Sequence, residues 1–444
     1  MAMQVPQPVA AEEHDVILAR VAAVDVAKAT GKVCLRVPDP CDASRRATSV
    51  WDVASTTDSI MELGAFLAAA QVQRVVVEST SDYWRPFVYL LEAQGLQVWL
   101  VNARHVRQAP GRPKTDKLDA VWLAKLTERG MLRPSFVPPA PIRHLRDLTR
   151  ARHDLSGDQT RCKQRLEKLL EDALIKLSVV ASDLFGVSAR MMIEALISGQ
   201  RDPHALAGLA RGRLKAKHGA LVQALHGRFD DHHAHLARLL LQQHDLIQAQ
   251  ITELTTAIEA AITAIEYPHP PPAHDQPDQP PPLPVVARLD EITGVGPEIA
   301  HAIIAEVGLD MSVFPTAQHL VSWAKLSPRT RQSGAKTHHG KTGKGNPYLK
   351  AALGQAAAAT ARTDTFLGHR YRRLVARRGK LKALVAVARS ILTIVWHLLA
   401  NPHARFHDLG PDHYTQHIDK QRRTRNLIRQ LQVLGYQVNL TQTA

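Results

Sequence analysis

The sequence predicts a chain of two kinds of structure: an α/β domain built on a mixed sheet, followed by a long all-α region. Two observations carry this. Short β-branched runs alternate with helix-like stretches up to about residue 130, and from there apolar residues recur at helical spacing, interrupted by one proline-dense segment. At 444 residues the chain is long enough to build two or three separate cores.

In the first part, VILARVAAVDVA (16–27) is a strand that breaks at the turn-prone TGK. KVCLRV (32–37) is its hairpin partner and RATSVWDV (46–53) a third strand. DSIMELGAFLAAA (58–70) has the spacing of a helix. The strand RVVVE (74–78), a helix near 83–94, the strand LQVWLV (96–101) and a helix opening near Thr115 complete the order β-β-β-α-β-α-β-α, over residues 1–141.

Residues 142–266 read as long helices. Leu240, Ile247, Leu254 and Ala261 fall seven apart, with Ile251 and Ile258 between them. That pattern predicts a coiled coil or an extended helical hairpin used for oligomerisation, and a bundle within one chain would give the same pattern. Residues 267–285 form a linker: nine of the seventeen residues from 268 to 284 are proline, which neither a helix nor a central strand accepts. Beyond it, 286–400 reads as helical and 401–444 as a basic tail containing KQRRTR.

Lys and Arg outnumber Asp and Glu by 56 to 41, and the formal net charge of +15 points to a polyanionic partner, most simply nucleic acid. Cys34, Cys41 and Cys162 have neither metal-ligand nor disulfide spacing, which fits a reducing cytoplasm. The start lacks the pattern of a secretory signal, and no unbroken apolar run of 18 residues suggests a membrane span.

Four acids of the first domain stand where chemistry is usually displayed. Asp25 and Glu78 end predicted strands, and Asp116 and Asp119, in GRPKTDKLDA, share one helix face. Singly each has an ordinary explanation, such as a helix-start acid for Asp116 and a solvated helix acid for Asp119. Four carboxylates converging on one point would need cations, and two Mg²⁺ ions there would polarise a phosphodiester. The stretches VAAVDVAK, VVVEST and RQAPGRPKTDKLDAVWLAKL resemble the RuvC-like, DEDD-bearing domain of the IS110-family transposases. HLRDLTRARHDLSGDQTRCKQRLEKLL is similar to that family's helical linker, so the resemblance covers nearly the whole chain. It implies a RuvC/RNase H-like domain whose acidic tetrad is Asp25, Glu78, Asp116 and Asp119.

In the second domain, LDEITGVGPEIAHAIIAEVG (289–308) has a tight Gly-Val-Gly turn of the helix-hairpin-helix kind. Its backbone N–H groups at Gly294 and Gly296 suit a phosphate, although a plain packing turn reads the same way. From 321 to 389 sixteen Lys or Arg accompany one acid, Asp364, so this segment is expected on a nucleic-acid backbone. The contacts expected there are Arg329, Arg331, Lys336, Lys341 and Lys344, joined from the first domain by Arg112 and Lys114. GKTGKGN lacks the spacing and ending of a Walker A loop, which excludes nucleotide hydrolysis on that motif. Ser333, in RQSGAK, reads from its residues alone as a turn or phosphate-donor serine. The resemblance implies instead that it is the nucleophile, in preference to Ser327. His338 and His339 read as phosphate contacts, and DDHHAH (230–235) as a solvated helix face.

The resemblance further implies a DNA recombinase that cuts and rejoins strands through a phosphoserine link. Its partners would be donor DNA, target DNA and a structured bridge RNA, and its assembly a tetramer of two dimers. A RuvC-type junction resolvase using metal-activated water is the alternative, and a non-catalytic nucleic-acid organiser a second one.

Overall fold

The computed structural model describes residues 18–42, 45–79, 81–102, 116–266, 283–328, 330–333, 336–340, 342–413 and 420–440. For residues 79, 116–117, 330–333, 336–339 and 420–423 it describes the backbone alone. The chain divides into two compact units, residues 1–138 and 139–444.

Unit 1 is a five-stranded mixed sheet in the order β3-β2-β1-β4-β5. β1 (Val21–Val26), β2 (Thr30–Pro38) and β3 (Arg46–Ala54) form an antiparallel meander. β4 (Arg74–Ser79) lies parallel to β1, and β5 (Val98–Val101) parallel to β4. Helices α1 (Thr57–Ala69) and α2 (Trp84–Ala93) connect them, and α3 (Asp116–Glu128) follows. The order expected from the sequence is the order observed, and it is consistent with a RuvC-like domain.

Alternation along β1 explains the layers. Ala22, Val24 and Val26 join Ile60, Leu63 and Leu67 of α1 and Phe87, Val88 and Leu91 of α2 in one core. Val21 and Ala23 join Val76, Val101 and the α3 residues Ala120, Leu123 and Ala124 in the other. A strand covered on both faces has to be apolar almost throughout, as VAAVDV is, and its one acid is therefore conspicuous.

The end of α3 is pinned by charge. Glu128 accepts from Arg36 of β2 at 2.9 Å and from Arg46 of β3 at 2.7 Å. Burial alone would raise the Glu128 carboxyl, but the hydrogen bonds from Arg46 and Arg36 outweigh it and hold the group below its ordinary value.

Unit 2 opens with α4 (Ala140–Asp172), carries α5 (Val187–Ile197) and several short helical turns, and returns along α6 (Asp231–Glu266). α4 and α6 run antiparallel: Asp172 meets His233, the Cys162 thiol donates to the Leu240 carbonyl, and Gln159 bonds Gln248. Leu166 and Leu170 of α4 pack with Ala237 and Leu241 of α6 in the core that also holds Met192 and Ile193 of α5. Along this stretch α6 thus packs on α4 of the same chain, with Leu240 of the stripe partly buried against that core.

The DDHHAH stretch corrects an expectation. His233 is 4% exposed, with Nδ1 at 2.5 Å from Asp230 and Nε2 at 3.1 Å from Asp172, while the Asp230 side chain accepts the His233 backbone N–H. It is a helix start with one inward histidine, because an N-cap acceptor and an inward turn are what the start of α6 requires.

The remaining helices are α7 (Val285–Asp290), α8 (Pro297–Val307), α9 (Ala317–Trp323), α10 (Pro347–Thr360), α11 (Phe366–Arg378), α12 (Lys380–Ala400) and α13 (Lys420–Val433). α12 is apolar and long enough to cross a membrane by composition, but Val387, Ile391, Leu392 and Val395 are buried where it packs on α9, α10 and α11. Arg288 of α7, itself buried, donates to the Leu398 carbonyl in the last turn of α12 and to the Asn401 carbonyl just beyond it. One departure from the all-helical expectation is a two-stranded hairpin, β6 (Thr330–Ser333) and β7 (Lys336–His339). Most of the proline-rich stretch, 267–282, lies outside the described residues.

Replacing Glu128 by Gln is expected to cost about 1–3 kcal/mol, the range for a part-buried charge-assisted hydrogen bond. Because its folded pKa is depressed, that contribution is present above the ordinary carboxylate range and is lost as pH falls through the folded value. Thermal unfolding of the two proteins should differ at pH 7 and converge in acid; a gap independent of pH would contradict this.

Candidate active site

The parallel register of β1 and β4 sets Asp25 directly opposite Glu78. Neighbouring strands lie roughly 4.8 Å apart, and paired residues of a parallel ladder share a face. By alternation that face is the one occupied by Ala23, Val76 and α3. Asp25 is half-buried and Glu78 is 7% exposed.

The direction of α3 completes the arrangement. The backbone N–H of Leu18, just before β1, donates to the carbonyl of Glu128 at the last residue of α3, at 2.9 Å. α3 therefore runs antiparallel to β1. Its thirteen residues rise about 20 Å, so its first turn lies toward the strand end that carries Asp25. Asp116 is the first residue of α3 and Asp119 lies one turn on. The register thus pairs Asp25 with Glu78, while Asp116 and Asp119 share the first turn of α3.

Hard carboxylate oxygens are the donors that Mg²⁺ prefers, and adjacent like charges at a sheet interior favour a divalent cation between them. Among the described residues, however, no three His, Cys, Asp or Glu side chains are gathered as a metal-holding group. Asp25, Glu78 and Asp119 are all described, so the structure does not bring those three together as such a group, and the Asp116 side chain lies outside the described residues. Two of the three thiols are poor nucleophiles: burial pushes Cys34 up to about 11 and raises Cys162 as well, whereas Cys41 is exposed.

In unit 2, Ser333 ends β6 and pairs with Lys336, the first residue of β7, while Arg331 pairs with His338. The hairpin closes with only Gly334 and Ala335 between the paired residues. Lys344 is exposed just beyond it. Arg112, Lys114, Arg329 and Lys341 lie outside the described residues, and Arg331 and Lys336 are placed by their strand backbones alone.

The Gly-Val-Gly turn divides into two roles. Gly294 has φ +86°, and a Cβ there would stand 2.5 Å from the Ala356 carbonyl oxygen of α10. Its glycine is accounted for by packing. Gly296 faces open space.

A buried charge cluster was missed by the sequence reading. Glu306, 1% exposed near the end of α8, accepts bidentately from Arg150 of α4 at 2.7 and 2.9 Å. It also pairs with Arg146 at 3.1 Å and accepts from the Asn346 side chain. The only sequence signal is a lone acid inside the apolar run AIIAEV.

Comparison with known proteins agrees with this architecture. Residues 22–175 match the family model for the DEDD transposase of IS110, and residues 286–372 match that for the transposase of the IS116/IS110/IS902 family. Together the two matches cover more than half of the chain. The chain is also 28% identical over 317 residues to an uncharacterized 43.6 kDa protein of insertion element IS110 from Streptomyces coelicolor, covering 65% of this chain and 71% of that protein. A mixed-sheet domain with carboxylates at its strand ends, matched by the DEDD model, defines a DNA-processing enzyme of the transposase class, for which divalent metal use is general. The chain belongs to the IS110 family of insertion-sequence transposases.

The contrast between the two glycines is testable. Gly294→Ala should lower stability by about 1–3 kcal/mol through overpacking and a left-handed backbone, whereas Gly296→Ala should unfold at the wild-type temperature. Equal unfolding temperatures for the two variants would refute the packing role.

Proposed function

We propose that this transposase is a recombinase that breaks and rejoins DNA through a covalent phosphoserine link. The observation that supports the reading is the register of Asp25 directly opposite Glu78 on parallel strands. Asp25, Glu78, Asp116 and Asp119 would hold two Mg²⁺ ions, which when bound withdraw charge from a phosphodiester. The Ser333 oxygen attacks phosphorus, the bond to the leaving strand oxygen breaks, and that oxygen departs as a hydroxyl carrying a proton. One ester is exchanged for another, so a second strand hydroxyl can reverse the step without nucleotide hydrolysis. Lys336, paired with Ser333 across the hairpin, and Arg331 are suited to the phosphate charge.

The basic surface of 321–389 and Lys344 serve the nucleic-acid backbone, together with Arg112, Lys114, Arg329, Lys341 and the N–H groups around Gly296. The family resemblance supports a structured bridge RNA that selects donor and target sites, and a working assembly of two dimers.

The test uses full-length protein, Mg²⁺ and plasmid DNA carrying the element's own ends. Asp25→Asn, Glu78→Gln, Asp116→Asn and Asp119→Asn should each lower cleavage by at least about 100-fold, the scale for removing one preorganised charge-stabilising group. Ser333→Ala should abolish the detergent-resistant protein–DNA adduct. A Ser333→Ala protein that nicks at the wild-type rate would replace this reading with hydrolysis by water.

A further inference from the structure

The polypeptide that carries the β6–β7 hairpin leaves and re-enters the helical body of unit 2 at a single place. On the way out, Ala324 ends α9 and Lys325 has φ +56°, a left-handed conformation that a side chain rarely adopts. On the way back, Gly345 has φ +61°, and a Cβ there would stand 2.6 Å from the Ala324 carbonyl oxygen. Gly343 is set against the Lys325 side chain in the same way. The Lys350 ammonium donates to the Gly343 carbonyl at 2.5 Å, and burial holds that ammonium below its ordinary value. The two stems therefore touch at Ala324–Lys325 and Gly343–Gly345, on either side of the β6–β7 hairpin.

One residue joins this place to the rest of the unit. The Asn346 side chain caps α10 by accepting the Leu349 N–H at 3.1 Å, and its amide donates to Glu306. Glu306 is held in turn by Arg146 and Arg150 of α4. A carboxylate 1% exposed that spends its oxygens on partners from two other segments fixes their mutual placement as well as its own.

We infer that Glu306 is a positioning residue for the reaction: through Asn346 it fixes the stem of the arm, and hence the aim of Ser333. This rests on Ser333 being the nucleophile. The arm is a short hairpin of polar strands, TRQS and KTHH, so its direction depends on where its stem is held.

The experiment exploits the polarity of the Glu306–Asn346 bond. Asn346→Asp keeps an oxygen to cap α10 but sets a second carboxylate against Glu306. Glu306→Gln in that background returns the cluster to one carboxylate and supplies a donor to position 346, while giving up the Arg150 and Arg146 contacts that the same Glu306 Oε2 accepts. Full-length proteins are incubated with Mg²⁺ and plasmid DNA bearing the element's ends, and the rate of adduct formation is followed against DNA concentration. Asn346→Asp should lower the saturating rate by about 10–100-fold, the scale of a misaimed reactive group, with the half-saturating DNA concentration unchanged. Glu306→Gln/Asn346→Asp should recover part of it, since the pair is remade but the Arg150 and Arg146 contacts of Oε2 are not. A saturating rate at the wild-type level in Asn346→Asp, or a double variant with wild-type unfolding temperature and no recovered adduct, overturns the positioning role. Ser333→Ala is run alongside: its losing the adduct while Asn346→Asp keeps it removes this inference alone, whereas its keeping the adduct removes the nucleophile assignment beneath it.

Discussion

Two carboxylates side by side on adjacent parallel strands are the constraint on which unit 1 is organised. Parallel neighbours in register cannot turn their side chains apart, so Asp25 and Glu78 face the same layer. Strands as apolar as VAAVDV and RVVVES can carry such a pair only at the sheet's end, where solvent, cations or a helix start can meet it. Their position follows from the ladder: β1 and β4 are central in the order β3-β2-β1-β4-β5, and both are covered on two faces. The Glu128 pairs with Arg36 and Arg46 pin the last residue of α3 to β2 and β3.

Unit 2 solves a different problem, that of ordering short polar segments with long helices. The α4–α6 pair gives a stiff frame in which leucines, Cys162 and the Gln159–Gln248 bond set the register. Arg190 of α5 adds a bidentate pair to Asp245 of α6 at 2.7 Å. α4 then supplies Arg146 and Arg150 to Glu306, so the frame and the helices after the proline-rich stretch share one buried charge cluster.

Much of unit 1 was legible in the sequence because its elements are local and periodic. β-branched runs, turn residues and helical spacing mark β1 to β5 and α1 to α3 in order, although β1 starts at Val21 rather than residue 16 and β5 at Val98 rather than 96. The acids were visible as polar interruptions at strand ends. What sequence leaves out is partner choice. The stripe at Leu240 and Ile247 shows an apolar face without saying whether the partner is in the same chain, and only the structure brings Leu166 and Leu170 opposite Leu241. The strands TRQS and KTHH lack apolar alternation and passed unnoticed among helices. Glu306 was invisible because Arg150, its partner, is 156 residues away.

The second family match ends at residue 372, inside α11. The architecture does not end there. α12 buries Val387, Ile391, Leu392 and Val395 against α9, α10 and α11, and its last carbonyls receive Arg288 from the first helix of the same body. A fragment cut where the match stops would strip a wall from that interior and strand a guanidinium inside it. The packing of this region runs past Asn401 as well, since Glu291 receives Arg405 and the Phe406 N–H, and Asp408 accepts the Phe366 N–H.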